Sequence, residues 1–186
     1  MTKLKKRRSS EAGFTLVEIA IVLIIIGLLI GGIIKGQAMI KNAKVKRLVA
    51  DFDGMRAAVL TYQDKFGMLP GDENDANTPI GDTNNGDNDG TFDEANNGWA
   101  LEDMRLAEIL PGTGTALAKN SFGGNLYVDY VNISGNANWI VVTGIPAEVC
   151  QEVDSKYDDG VRTTGEIRAG ANYTAGTTIA LFGWKL

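Results

Sequence analysis

The sequence predicts an α+β fold: one long N-terminal α-helix, transmembrane in its first half and amphipathic in its second, packed on a small antiparallel β-sheet. Three observations lead there. An apolar run from Phe14 to Ile34 passes into an apolar stripe at helical spacing, and no proline interrupts either before Pro70. Short apolar segments separated by turn residues fill the last third of the chain. Hydrophobic residues make up 44% and charged residues 22% of 186 positions, which suits one folded domain plus an extra element.

The apolar run reads FTLVEIAIVLIIIGLLIGGII, 21 residues with a single charge at Glu18. As a helix it spans about 31 Å, roughly the hydrocarbon thickness of a bilayer. Lys3, Lys5, Lys6, Arg7 and Arg8 stand just before it. Positive charge there holds that end in the cytoplasm and sends the rest of the chain across. A secretory signal peptide has a shorter apolar core and a small-residue cleavage site behind it. A plain signal anchor accounts for length and orientation but not for Glu18, because a carboxylate at bilayer depth costs roughly 2.5–3.5 kcal/mol or more without a partner.

Gly13-Phe14-Thr15-Leu16-Val17-Glu18, behind a short basic leader and ahead of an unbroken apolar helix, resembles the prepilin signature of type IV pilins and type II secretion pseudopilins. The resemblance implies a leader over residues 1–13, cleavage between Gly13 and Phe14 by a prepilin peptidase, and N-methylation of Phe14. It also implies a pilin-like arrangement of helix and sheet. Cleavage creates an ammonium at Phe14, and in a filament the Glu18 carboxylate of one subunit can neutralise the N-terminus of a neighbour. Breaking such a pair in an apolar core leaves an uncompensated charge, so Glu18 would set register during assembly. Gly27, Gly31, Gly32 and Gly36 lie in or just beyond the run. Two readings of them stand: close helix packing through small residues, and local unwinding within a filament. Many proteins of this class carry a Pro soon after their Gly, and this helix has none.

Residues 14–41 are thus expected to form the membrane or filament-core helix, and residues 42–186 the globular body. In the body's share of the helix, Val45, Leu48, Phe52, Met55, Val59 and Tyr62 recur at spacings of three and four and form one stripe. Gly67, Pro70 and Gly71 end the helix near Phe66. Lys41, Lys44, Lys46 and Arg47 lie largely off the stripe. They suit anionic lipid before extraction, a solvated face, or acidic neighbours in a filament.

Charge is strongly segregated. The first 13 residues hold five basic and one acidic residue, a net of +4, and the remainder carries 13 basic and 22 acidic, a net of −9. That acidic body argues against general nucleic-acid binding. No Lys or Arg occurs between Lys65 and Arg105, while ten Asp and Glu do. Two readings of the insertion 70–98 stand: a Ca²⁺ site and a solvated acidic loop. For Ca²⁺, hard oxygen donors alternate at Asn85, Asp87 and Asp89 ahead of Gly90, as in an EF-hand loop, with Asp82, Asn84 and Asp93 as further donors. The twelfth position falls on Asn96 and not on Glu, so the EF-hand match is imperfect. The insertion, opening on Pro70-Gly71-Asp72, also resembles the Asn/Asp/Gly-rich loop of a group of pilin-like proteins.

Trp99–Leu110 reads as a short helix capped by Asn96 or Asn97 and ended by Pro111-Gly112. Leu126–Ile133 and Asn138–Ile145 read as strands joined by Ser134-Gly135-Asn136. Pro146 opens a helix to Tyr157 with Val149, Val153 and Tyr157 on one side, and Cys150 beside that side reads as a buried small residue. Asp158-Asp159-Gly160 is a turn whose carboxylates are either turn-formers or metal ligands. The stretch from Cys150 to Gly165, with Asp154 and Lys156, resembles a motif near the end of the same pilin-like group. Thr177–Trp184 reads as the last strand.

The absence of His removes the commonest general base and metal ligand, and no nucleophile motif or phosphate-binding loop is present. The expected function is therefore assembly and not catalysis. The chain would be a structural subunit of a type IV pilus-like filament, a homo-oligomer built from the inner membrane by assembly machinery, requiring no cofactor, with Ca²⁺ the one candidate ligand. Its place would be the inner membrane as precursor, then an extracellular filament or a periplasmic pseudopilus. A pseudopilin or minor pilin of a secretion or DNA-uptake machine is the alternative, and a signal-anchored domain that never polymerises is another.

Overall fold

In the computed structural model the described residues are 13–73, 86–92 and 98–186. Helix α1 runs from Leu16 to Phe66. It passes through two compact units, one ending at Asn42 and one comprising Ala43–Leu186. In the first unit the apolar stretch is exposed along its length, and this helix is long and apolar enough to cross a membrane. Among the described residues no tertiary neighbour lies within 4 Å of a Cβ placed on Gly27, Gly31, Gly32 or Gly36, and all four are helical.

Within the second unit the stripe expected from spacing is the buried face of α1: Val45, Leu48, Phe52, Met55, Val59 and Tyr62 are all buried, joined by Val49 and Ala58. Phe52 meets Phe182 and Trp184 edge to face, with ring centroids at 6.1 and 5.6 Å, tying the helix to the sheet. The helix stops at Gly67 (φ +78°), whose N–H donates to the Gln63 carbonyl at 2.7 Å. A residue without Cβ enters the left-handed region freely, so the turn falls there.

The remaining elements are α2 (Trp99–Leu106), β1 (Ala118–Lys119), β2 (Asn125–Asn132), β3 (Asn136–Val142), β4 (Ile145–Pro146), α3 (Ala147–Tyr157), β5 (Ile167–Ala169), β6 (Thr178–Ile179) and β7 (Phe182–Lys185). A five-stranded antiparallel sheet has the order β1-β2-β3-β7-β5, and β4 pairs with β6 in a separate two-stranded sheet. Inward-facing Val128, Ile140, Val142, Ile167 and Phe182 join the buried α1 stripe in one core with Val149, Cys150 and Val153 of α3.

Several expectations shift. The β2–β3 connection is Ile133-Ser134-Gly135, one residue earlier than expected, because Asn132 pairs with Asn136 and its side chain accepts the Gly135 N–H at 2.9 Å. Helix α2 ends at Leu106, short of Leu110: Glu108 turns left-handed (φ +61°), and the Ile109 and Leu110 amides both fold back onto the Met104 carbonyl. Its N-cap is Gly98 with no side-chain cap, and Asn96 and Asn97 lie outside the described residues. Pro146 is the N-cap of α3 and not its first helical residue, with φ −56° and ψ 136°. The final strand is two strands, since Thr178–Ile179 pairs with Ile145–Pro146 while Phe182–Lys185 enters the main sheet. Local apolar character does not encode that change of partner. Strand β3 ends at Val142, and Ile145 belongs to the second sheet.

Candidate functional site

The N-terminal site is local. Gly13 is exposed, with nothing among the described residues within 4 Å of a Cβ placed on it, and Phe14 is 83% exposed. Thr15 caps α1: its Oγ1 accepts the Glu18 N–H at 3.2 Å, while Glu18 Oε2 accepts the Thr15 N–H and the Thr15 hydroxyl, each at 2.8 Å. This is a capping box, in which two orphan donors of the first turn are satisfied reciprocally. Sequence reasoning gives Glu18 a role between subunits and overlooks this one within the chain, although Thr-x-x-Glu is a legible signal. The two roles are compatible, because a carboxylate has acceptor sites left after two such bonds.

The acidic insertion enters the structure only in part. Asp82, Asn84, Asn85 and Asp93 lie outside the described residues. Asp87 and Asp89 are exposed, and each brings a carboxylate oxygen within 4.8 Å of the others in a group completed by Asp72. Asp72 is buried. Its Oδ1 accepts the Asp89 N–H at 3.0 Å and its Oδ2 the Gly90 N–H at 2.9 Å, while its carbonyl accepts the Asn88 N–H at 2.9 Å. Burial raises the Asp72 carboxyl above its ordinary range, and the Asp89 and Asp87 charges add to this against the two amides. Asp89 is held below the ordinary range by the hydroxyl and N–H of Thr91. In the sequence Asp72 only opens the loop and is not among the expected donors. Its place directly after the Pro70-Gly71 turn is the signal that could have found it. Neighbouring Glu73 is fully buried, and neither of its carboxylate oxygens has a hydrogen-bond partner among the described residues.

A second group, Asp154, Asp158 and Asp159, has the same spacing of oxygens. Here too protein donors occupy the carboxylates. Asp154, buried in α3, accepts the Tyr173 hydroxyl at 2.6 Å and the Gly160 N–H at 3.1 Å. Asp158 Oδ2 accepts the Ile167 N–H at 2.7 Å, and Asp159 takes the Val161 N–H at 2.8 Å and the Thr164 hydroxyl at 2.6 Å. Gly165 has φ +70°, and a Cβ there would fall 2.0 Å from Asp158 Oδ2. Burial raises Asp154, with the Asp159 and Asp158 charges contributing, and it also raises Tyr173 and Cys150. These side chains build the turn between α3 and β5. Cys150 is buried, as its position predicts, and that burial raises its thiol above the ordinary range.

Residues 8–34 match the family model described as the prokaryotic N-terminal methylation motif. The chain carries the prepilin-type signature of type IV pilins and pseudopilins. This prepilin-type match covers the basic leader's end, Gly13, Phe14, Glu18 and the apolar run together. No match was found among curated proteins or among solved structures. With its long apolar helix and antiparallel sheet, the chain has a pilin-like α+β arrangement.

Proposed function

We propose that this chain is the structural subunit of a type IV pilus-like filament, made as a membrane-inserted precursor, cut after Gly13 and methylated at Phe14. The observation that carries the reading is one juxtaposition. A methylation motif opens a helix whose first half is an exposed apolar surface too large for a soluble monomer. That surface is covered first by lipid and then by neighbouring apolar helices, with Glu18 opposite a neighbour's new N-terminus. The body, residues 42–186, is carried outside as the filament's surface.

Intact mass and N-terminal sequence of protein sheared from cell surfaces test this. N-methyl-Phe14 in a sheared, polymeric fraction is the expected result. Processed protein absent from the sheared fraction but present in short periplasmic assemblies would make it a pseudopilin or minor pilin. An unprocessed Met1 terminus confined to the membrane would make it a simple anchor and overturn the proposal.

We also infer a Ca²⁺ site at the acidic insertion, with Asp72, Asp87 and Asp89 as donors and Asp82, Asn84, Asn85 and Asp93 as further oxygens in the same loop. Three carboxylates with oxygens within 4.8 Å of one another support it. So does the lack of any Lys or Arg between Lys65 and Arg105 to offset them. A hard cation takes six to eight oxygens and reverses that repulsion.

A further inference from the structure

Beyond the leader, basic charge is concentrated in two stretches of an otherwise acidic chain. Residues 19–50 carry Lys35, Lys41, Lys44, Lys46 and Arg47, residues 109–128 carry Lys119, and neither stretch holds an acid. Together they take six of the 13 basic residues beyond the leader and none of the 22 acidic ones, so the rest has seven basic against 22 acidic, a net of −15.

The fold brings the two stretches together. In the turn between β1 and β2, the Ser121 hydroxyl donates to the Lys44 carbonyl of α1 at 3.0 Å, and the Lys44 ammonium lies 5.4 Å from the centre of the Phe122 ring. Asn120 fixes this turn from within. It is buried, its Oδ1 accepts the Phe122 and Gly124 N–H groups at 2.8 and 3.2 Å, and its Nδ2 donates to the Asn125 and Thr143 carbonyls at 3.0 and 2.9 Å. Phe122 is half-buried at the margin of the core, while Lys44, Lys119 and Gly123 are exposed. Neither lysine has an ion pair among the described residues.

We propose that this turn is a second membrane contact of the precursor, in which Phe122 and the Lys44 and Lys119 ammoniums rest on the headgroups of anionic phospholipid. The proposal rests on the membrane-inserted stage of the reading above. Chain reach permits it, because ten residues of helix carry Lys44 no more than about 15 Å past Ile34. Headgroups fill about 5–8 Å beyond the hydrocarbon, and what remains is close to the ~8 Å screening length at physiological salt. Charge selects the lipid: an anionic surface attracts the basic turn and repels the acidic remainder of the body. An aromatic ring beside lysines suits the boundary between headgroups and acyl chains. The contact holds the body against the membrane until assembly withdraws the helix.

The full-length chain carrying Phe122→Trp tests this in vesicles of phosphatidylcholine and phosphatidylglycerol with brominated acyl chains, compared with the unaltered chain in the same vesicles. The added tryptophan should be quenched beyond the native signal. Raising salt from about 0.1 M to about 1 M, which shortens the screening length from about 10 Å to about 3 Å, should remove most of that quenching. Lys44→Gln and Lys119→Gln should each lower occupancy of the contact about fivefold, the factor for one basic group near an anionic surface. In the unaltered chain, amine labelling of Lys44 and Lys119, read by mass spectrometry, should be severalfold slower in these vesicles than in phosphatidylcholine alone. Equal quenching and equal labelling in the two lipids overturn the recognition of anionic headgroups. Protection that follows the protein-to-lipid ratio and not phosphatidylglycerol overturns it in favour of a second copy. A chain that inserts but shows neither quenching nor protection overturns the contact and leaves the membrane-inserted precursor standing. A chain that alkali strips from the vesicles overturns the precursor reading, and this contact with it.

Discussion

Replacing Asp154 by Ala distinguishes a turn held by protein donors from one held by a metal. In the folded chain Asp154 is fully buried and accepts two hydrogen bonds, from the Tyr173 hydroxyl at 2.6 Å and the Gly160 N–H at 3.1 Å. Removing the carboxylate strands both donors, and each unsatisfied buried donor costs about 1–3 kcal/mol. Against this, burial raises the carboxyl above its ordinary range, so the ionised group is itself disfavoured in the fold and its loss returns part of the cost. The expected net loss for Asp154→Ala is therefore about 2–4 kcal/mol, a large share of the roughly 5–15 kcal/mol typical of a domain. Tyr173→Phe, which removes one bond, should cost about 1 kcal/mol.

The assay is urea unfolding of the body, residues 42–186, followed by fluorescence of its three tryptophans, Trp99, Trp139 and Trp184, with and without Ca²⁺. The loss should be the same in both conditions. A loss that appears only with Ca²⁺ present, or one below about 1 kcal/mol, would refute the account of this cluster as a turn closed by protein donors. The pH dependence has a definite sign. A carboxyl raised in the folded state contributes stability fully below its unfolded value, lost as pH rises through its folded value. Asp154→Ala should remove that component and flatten the decline above the ordinary carboxylate range.

Three further outcomes are expected. Glu18→Ala should insert and be processed but fail to appear in sheared filaments, whereas Thr15→Val, which removes only the cap, should cost helix-start stability of about 0.5–2 kcal/mol and leave assembly largely intact; normal assembly of Glu18→Ala would end the register role. Chelator should lower the melting temperature of the body, and Asp72→Asn should abolish the shift; an unchanged melting temperature with Ca²⁺ or chelator would remove the metal from the structure. Phe52→Ala should destabilise the body by about 3–5 kcal/mol, since it empties a site between Phe182 and Trp184, and a cost under about 1 kcal/mol in denaturant titration would mean that α1 is not anchored to the sheet there.

The parts legible in the sequence share one property: their cause is local in the chain. Gly13, Phe14 and Glu18 are recognised by spacing, and the family match falls on that segment. The buried stripe from Val45 to Tyr62 follows from helical period alone, and the stop at Gly67 from backbone freedom. Even the capping box at Thr15 is a four-residue pattern, masked only because Glu18 also suits a longer-range role. The elements that differ from expectation have the opposite property. Nothing within Thr177–Trp184 says that its first residues pair with Ile145–Pro146 and its last with β3 and β5. Strands β1 and β5 are two and three residues long, too short to show a period.

What the sequence by itself determined is the processing motif, the membrane-length helix and the helix-plus-sheet class, because charge, hydropathy and period act along neighbouring residues. Only the tertiary structure decided the strand order β1-β2-β3-β7-β5, the burial of Asp72 beside Asp87 and Asp89, and the supply of donors to Asp154 from Gly160 and Tyr173. Each of these depends on burial and closure between segments distant in the chain.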